Sequence, residues 1–217
     1  MIDYAQARRM MVDCQLRTFD VNDNTVLDAF DSVPRESFVP KGREPFAYID
    51  QTLVLGAAAG ETRCLPAPMV QARMIQSLRI RPGDTALDVA SGSGYAAAVM
   101  ARLGAQVTAL ESVPELAEAL RVRLGTSAQV AEGPIAAGAP KQAPFDAILI
   151  NGRVEVRPQA LLDQLKDDGR LVCVFGPYRN AKVTLFVRAG DAFGARPLFD
   201  ASLPGLEAFA AEAGFAF

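Results

Sequence analysis

Residues 87–95 read LDVASGSGY, and the helical pattern AAAVMARLG follows over 96–104. An apolar run, a turn carrying Gly92 and Gly94, and then a helix is how a buried strand passes into a crossover helix. The same alternation continues outward from this stretch. Strands are predicted over 85–90, 105–111, 128–132, 145–151, 170–176 and 181–190, with helices over 96–104, 114–125 and 158–166. FDAILIN (145–151) is continuously apolar, as strands covered on both faces of a parallel sheet tend to be. Strand–helix alternation with right-handed crossovers predicts an α/β, doubly wound, mostly parallel sheet.

Upstream, helices are predicted over 1–18, over 24–32 with Asp23 or Asn24 as N-cap, and over 68–78 with Pro68 in its first turn. The Pro- and Gly-rich segment 33–68 reads as a long surface loop with short ordered pieces. The chain therefore divides into an N-terminal helical and loop-rich extension, 1–79, and a sheet-bearing core, 80–217, within one compact domain. The last residues, 191–217, are expected to add a strand at an edge.

In open α/β sheets, ligands sit beyond the carboxyl ends of the strands. Glycines there let the backbone approach a ligand, and a helix N-terminus offers unpaired N–H donors. Glu111 closes the second strand, 17 residues after Gly94, where a carboxylate can accept from both hydroxyls of a ribose. Glu132 closes the third strand and can border an adenine, while Asp88 can face the polar end of the ligand. Gly92, Gly94 and Ala97 satisfy the dinucleotide form G-x-G-x-x-G/A. A dinucleotide turn usually starts directly after the strand, however, and no second nucleotide-binding half is visible. S-adenosylmethionine fits better, because it carries adenosine and an amino acid but no phosphate.

The 217 residues contain no histidine, which excludes histidine-based triads, histidine general bases and histidine metal sites. A net charge of −3 argues against a nucleic-acid partner. Cys14, Cys64 and Cys173 are odd in number and widely spaced, indicating neither a disulfide framework nor a metal site. Cys14 and Cys173 read as packing residues, Arg8-Arg9 as a solvated helix face, and Arg63 as either an acceptor-binding or a solvated cation. No apolar run approaches the ~20 residues that span a bilayer, and the first residues lack a signal-peptide core. A reduced, cytoplasmic protein without a membrane partner is expected.

Several segments resemble, in order, the protein-L-isoaspartate O-methyltransferases: DNTVLDAFDSVPRESFVP (23–40), AYIDQTLVLG (47–56), GETRC (60–64), PMVQARMIQSL (68–78), LDVASGSGY (87–95), PFDAILI (144–150) and QLKDDGRLVCVFG (164–176). The resemblance implies a Rossmann-like class I methyltransferase that uses S-adenosylmethionine. It would methylate the α-carboxylate of isoaspartyl residues in damaged proteins or peptides. By position, the resemblance places Gly92, Ser93, Gly94 and Tyr95 at the methionine end of the cofactor, and Asp88, Ala90 and Ser91 beside them are further cofactor-binding candidates. It places Glu111 at the ribose, and Glu132 and Gly133 at the adenine. Tyr48, Asp50, Leu53, Thr62 and Cys64 fall on the acceptor side, with Asp50, Thr62 and Cys64 as the catalytic candidates.

This chain departs from the family pattern at Glu61, which replaces a glutamine, and at Cys64, which replaces a serine. Asn151-Gly152-Arg153 stands where a small apolar pair is usual. Ala90 replaces the first glycine of the turn, which is tolerable only at negative φ. Two alternatives follow from these departures, a methyltransferase with another acceptor and a non-catalytic cofactor-binding regulator.

Overall fold

The computed structural model describes residues 2–58 and 61–211. The glycine-turn strand, β3 (Thr85–Val89), lies at the switch point of a seven-stranded sheet. It is flanked in parallel by β4 (Gln106–Glu111) on one side and β6 (Phe145–Val154) on the other. β5 (Gln129–Glu132) extends the sheet beyond β4, and β7 (Leu165–Phe175) extends it beyond β6, both in parallel. β8 (Lys182–Ala189) and β9 (Ala192–Asp200) then add antiparallel strands, giving the order β5-β4-β3-β6-β7-β8-β9. The doubly wound, mostly parallel sheet is as the sequence predicts.

Side chains alternate across β6. Ala147 and Leu149 join Met11, Leu16, Phe30, Met74, Ile75 and Met100 on one face. Ile148 and Ile150 join Leu161, Leu171, Phe186 and Phe209 on the other. The first face is covered by α1 (Tyr4–Met11), α2 (Asn24–Ser32), α3 (Pro68–Leu78), α4 (Tyr95–Arg102) and α5 (Pro114–Leu124). Asp23 caps α2 by accepting from the Thr25 backbone N–H, and Pro68 opens α3. The apolar residues of the first 80 positions and those of the sheet thus share one core.

Four expectations change. The first helix is α-helical only over Tyr4–Met11; the chain continues in wider and then tighter turns to Phe19 and leaves through left-handed Asp20. The helix predicted over 158–166 shrinks to α6 (Gln159–Leu162), and β7 has already begun at Leu165. Leu161, Leu162 and Leu165 are spaced to suit a helix, but Asp168 turns left-handed beside Gly169. Residues 166–169 bulge out of β7, between the Phe145–Leu165 and Ala147–Arg170 pairs.

The segment 33–68 is not a surface loop. It carries an antiparallel hairpin, β1 (Leu53–Ala58) and β2 (Glu61–Leu65), and buries Arg35, Phe38, Tyr48, Leu53, Cys64 and Leu65. Finally, Cys14 is exposed rather than packed, whereas Cys173 lies in the core.

In the tail, β9 forms the sheet's edge with Pro197 opposite Thr184. Residues 201–211 then return along β6, where Gly205 bridges Arg153 and Leu206 and Phe209 are buried. Residues 212–217 of the predicted tail, and Gly60 of the GETRC segment, lie outside the described residues.

Candidate active site

The turn after β3 is held from below. Asp88 is fully buried and accepts from the Ser91 hydroxyl and, at 2.6 Å, from the Asn151 amide. Burial pushes its carboxyl up to about 6, the two donors only partly opposing that rise. Asp88 therefore braces the turn from inside rather than facing a ligand. Gly92 and Gly94 have φ of 56° and 84°, in the left-handed region that glycine tolerates. Ala90 has φ of 54°, so the condition of a negative φ is not met. The fold keeps the backbone that a glycine would adopt and accepts the strain of a Cβ there.

Glu111, at the end of β4, is fully buried and gathers donors from three directions. The Gly92 N–H donates to its Oε2 at 3.0 Å, and the Ser112 N–H to its Oε1 at 2.9 Å. The third donor is Arg63, from β2 of the hairpin. Its Nη2 lies 2.7 Å from Oε1, and its Nε is shared between the two oxygens at 3.0 and 3.1 Å. Arg63 is neither solvated nor free for an acceptor; it is buried against the strand-end acid. Its Nη2 also donates to Glu61 Oε2 and to the Ser112 hydroxyl. The hairpin thereby lies across the turn: a Cβ built on Gly92 would meet Leu55 Cδ1 at 3.1 Å and Arg63 Cβ at 3.4 Å.

The remaining predicted residues separate into two groups. Ser91 and Ser93 are buried in the turn, and the Ser93 carbonyl accepts from Arg123. The Gly133 N–H donates to the Glu111 carbonyl, which aligns the ends of β4 and β5. Tyr95 does not line the turn with its side chain. Its ring is buried against Phe30 and Phe38, with the Arg35 guanidinium 4.9 Å from the ring centroid. Glu132 points outward and pairs with Arg121 at 3.2 Å.

On the acceptor side, Thr62 is half-buried in β2 and Asp50 is exposed before β1. Tyr48 is buried, with its hydroxyl donating to Glu36 and receiving from Arg8, so Arg8 docks α1 instead of facing solvent. Leu53 is in the core. Cys64 is buried, and burial pushes its thiol up to about 12, which leaves it neutral and unreactive at physiological pH. That removes Cys64 from the catalytic candidates.

A profile described as "Protein-L-isoaspartate(D-aspartate) O-methyltransferase" matches residues 6–196. The chain belongs to the protein-L-isoaspartate O-methyltransferase family. A relative of that name in Methylorubrum extorquens (strain PA1) is 44% identical over 198 residues, covering 89% of this chain and 85% of its own. Another, in Roseiflexus sp. (strain RS-1), is 40% identical over 204 residues, covering 92% and 91%.

The fold is that of solved members of the family. One structure named protein-L-isoaspartate O-methyltransferase superposes with a TM-score of 0.80 at 22% identity, covering 91% of this chain and 65% of that longer chain. A putative family member from Plasmodium falciparum, solved with S-adenosyl-L-homocysteine, gives 0.74 at 21% identity, covering 93% and 98%.

Three members of this site were not read from the sequence as parts of one unit: Arg63 on Glu111, Ser112 beside them, and Asn151 under the turn. The available signal was Glu61 and Arg63 alternating on one face of a strand, and a polar Asn151 closing an otherwise apolar one. A cavity of about 200 Å³ borders the site, lined by Phe38, Leu55, Gly92, Ser93, Leu116 and Arg123. A larger one, about 530 Å³, lies at the opposite strand ends around Thr85, Gln106 and Gln129, away from the turn. Among the described residues, no group of three or more histidine, cysteine or acidic side chains is placed to hold a metal ion, and no helix is long and apolar enough to cross a membrane.

Proposed function

We propose that this chain methylates the α-carboxylate of isoaspartyl residues in damaged proteins and peptides, using S-adenosylmethionine. The observation that carries the reading is the family match over residues 6–196, with a glycine turn and a buried acid together at the carboxyl ends of β3 and β4. The residues present suit the cofactor once Arg63 leaves Glu111: the freed carboxylate can take ribose hydroxyls, and Gly92 and Gly94 hold the left-handed backbone of the turn. Glu111 would hold the ribose, the backbone of 91–94 the methionine end, and Gly133 the adenine edge. When bound, the cofactor supplies an electrophilic methyl group on a sulfonium.

The protein's remaining task is to position the acceptor and exclude water. An isoaspartyl α-carboxylate has a reference pKa near ~4 and arrives ionised at pH 7, so no general base is needed. A chain without histidine is adequate for this chemistry. Thr62 and nearby backbone amides of the hairpin would orient the acceptor, with Asp50 at the entrance. The resulting ester closes to a succinimide that reopens partly as ordinary aspartate. Three unpaired cysteines suit a reducing, cytoplasmic setting, and the net charge of −3 suits a protein rather than a nucleic-acid substrate.

The test is methyl transfer from labelled S-adenosylmethionine to an isoaspartyl peptide, with the aspartyl peptide as control. Transfer confined to the isoaspartyl peptide is expected. No transfer above control, in protein that still binds S-adenosylhomocysteine, overturns the acceptor.

One observation favours a second reading, methylation of another acceptor. Where the family carries a glutamine and a serine, this chain has Glu61 tied to Arg63 and Cys64 buried as a neutral thiol. That reading predicts cofactor binding without isoaspartyl turnover, unrescued by Cys64→Ser.

A further inference from the structure

The ribose-binding acid of the proposed site already has a full set of partners. An ionised carboxylate offers about four lone-pair sites. Around Glu111, Oε1 receives Arg63 Nη2, part of Arg63 Nε–H, the Ser112 N–H and, at 3.4 Å, the Val113 N–H. Oε2 receives the rest of Arg63 Nε–H and the Gly92 N–H. No acceptor position is left for a diol. The backbone donors of Gly92, Ser112 and Val113 are fixed by the turn and by the end of β4, and the Ser112 hydroxyl reaches Oε1 only at 3.5 Å, so Arg63 is the close donor that can leave.

The same guanidinium also has somewhere to go. Nη2 is already bonded to Glu61 and to the Ser112 hydroxyl, and Ser112 itself donates to Glu61. The Glu61 side chain is 24% exposed, whereas those of Arg63 and Glu111 are 1% and 0% exposed. Glu61 and Arg63 sit two apart on β2, on the same face, so the guanidinium can turn outward without leaving Glu61. A guanidinium that gives up Glu111 in this way keeps a carboxylate partner and reaches water.

We propose that Arg63 is the residue that sets cofactor affinity in this protein. It competes with the ribose for Glu111, and its guanidinium must swing off that carboxylate, with Glu61 on the same strand retaining it, before a nucleoside is held. The inference rests on the cofactor reading given above. Closed, the pair keeps a buried carboxylate compensated, which avoids the heavy cost of leaving one unpaired. Opened, that compensation passes to the ribose hydroxyls and the three backbone amides. The protein therefore binds its cofactor more weakly than the geometry of the turn alone allows.

The experiment is calorimetric titration of S-adenosylhomocysteine into the wild type, Arg63→Met and Arg63→Lys, with the fold of each checked by thermal unfolding. Methionine keeps the length and apolar stem without the fork. Lysine keeps the charge but cannot engage both oxygens in parallel. Binding at least tenfold tighter than wild type is expected for Arg63→Met, with a smaller gain for Arg63→Lys. If Arg63→Met does not fold, the lysine variant decides alone. Equal or weaker binding by the folded variants, beside a wild type that binds, overturns the competition and leaves the cofactor reading standing. Absence of binding to all folded forms overturns both.

Discussion

Ala90 shows how a single side chain can disagree with its backbone. At φ of 54° its Cβ crowds the neighbouring carbonyl, a cost of roughly 1–2 kcal/mol for a non-glycine residue. Ala90→Gly removes that crowding while adding some freedom to the unfolded chain, so a net stabilisation of about 0.5–1 kcal/mol is expected as a higher urea midpoint. Asp88 makes a second residue-scale prediction. Its carboxyl ionises near 3.8 when unfolded and at about 6 in the fold, so between these values the native state holds the extra proton. Stability therefore falls as pH rises through that window, by up to about 3 kcal/mol, and the loss is complete above the folded value. Urea midpoints of wild type measured against Asp88→Asn from pH 4 to 7 check this: the wild type should lose ground to the variant between pH 4 and 6. A difference that does not change with pH would contradict it.

At the scale of elements, the hairpin and its supports decide the shape of the site. Arg35 is the anchor: it is fully buried and donates to the carbonyls of Ala47 and Pro66 and to the Gln71 amide oxygen, so one fork ties three stretches of chain together. A lysine cannot reach all three, and Arg35→Lys should cost about 2–4 kcal/mol in chemical denaturation while also loosening the hairpin. The sequence made some of this legible and not the rest, for physical reasons. β3, its glycine turn and Glu111 could be read because burial on both faces and left-handed backbone leave local marks in the residue types. The Arg63–Glu111 contact could not, because 48 residues separate its partners and the facing of Arg63 depends on a register shift between Val54 and Gly56. The α6 error has a similar origin, since the spacing of Leu161, Leu162 and Leu165 does not by itself distinguish a helix from a turn entering a bulged strand.

For the whole molecule, a boundary near residue 80 separates compositions but not cores. Met11, Leu16, Phe30 and Met74 pack in one cluster with Ala86, Leu149 and Val172 of the sheet. We therefore propose that the two parts fold as one unit. Unfolding in urea followed by far-ultraviolet dichroism and by a fluorophore on the exposed Cys14 should give coincident transitions. A separate early transition in the Cys14 signal would show an extension that melts on its own.

The sheet's two borders have a consequence for how the molecule behaves in company. One border is β5, only four residues long, and the other is β9, interrupted by Pro197 and bearing Arg196 and Asp200. A short strand and a strand lacking one amide donor give an incoming chain no continuous row of hydrogen-bonding groups to copy. A protein substrate of the kind proposed above that exposed a strand would seek such a row. A sheet bordered in this way gives that strand no place to add, so the two molecules meet through the site and not through strand exchange.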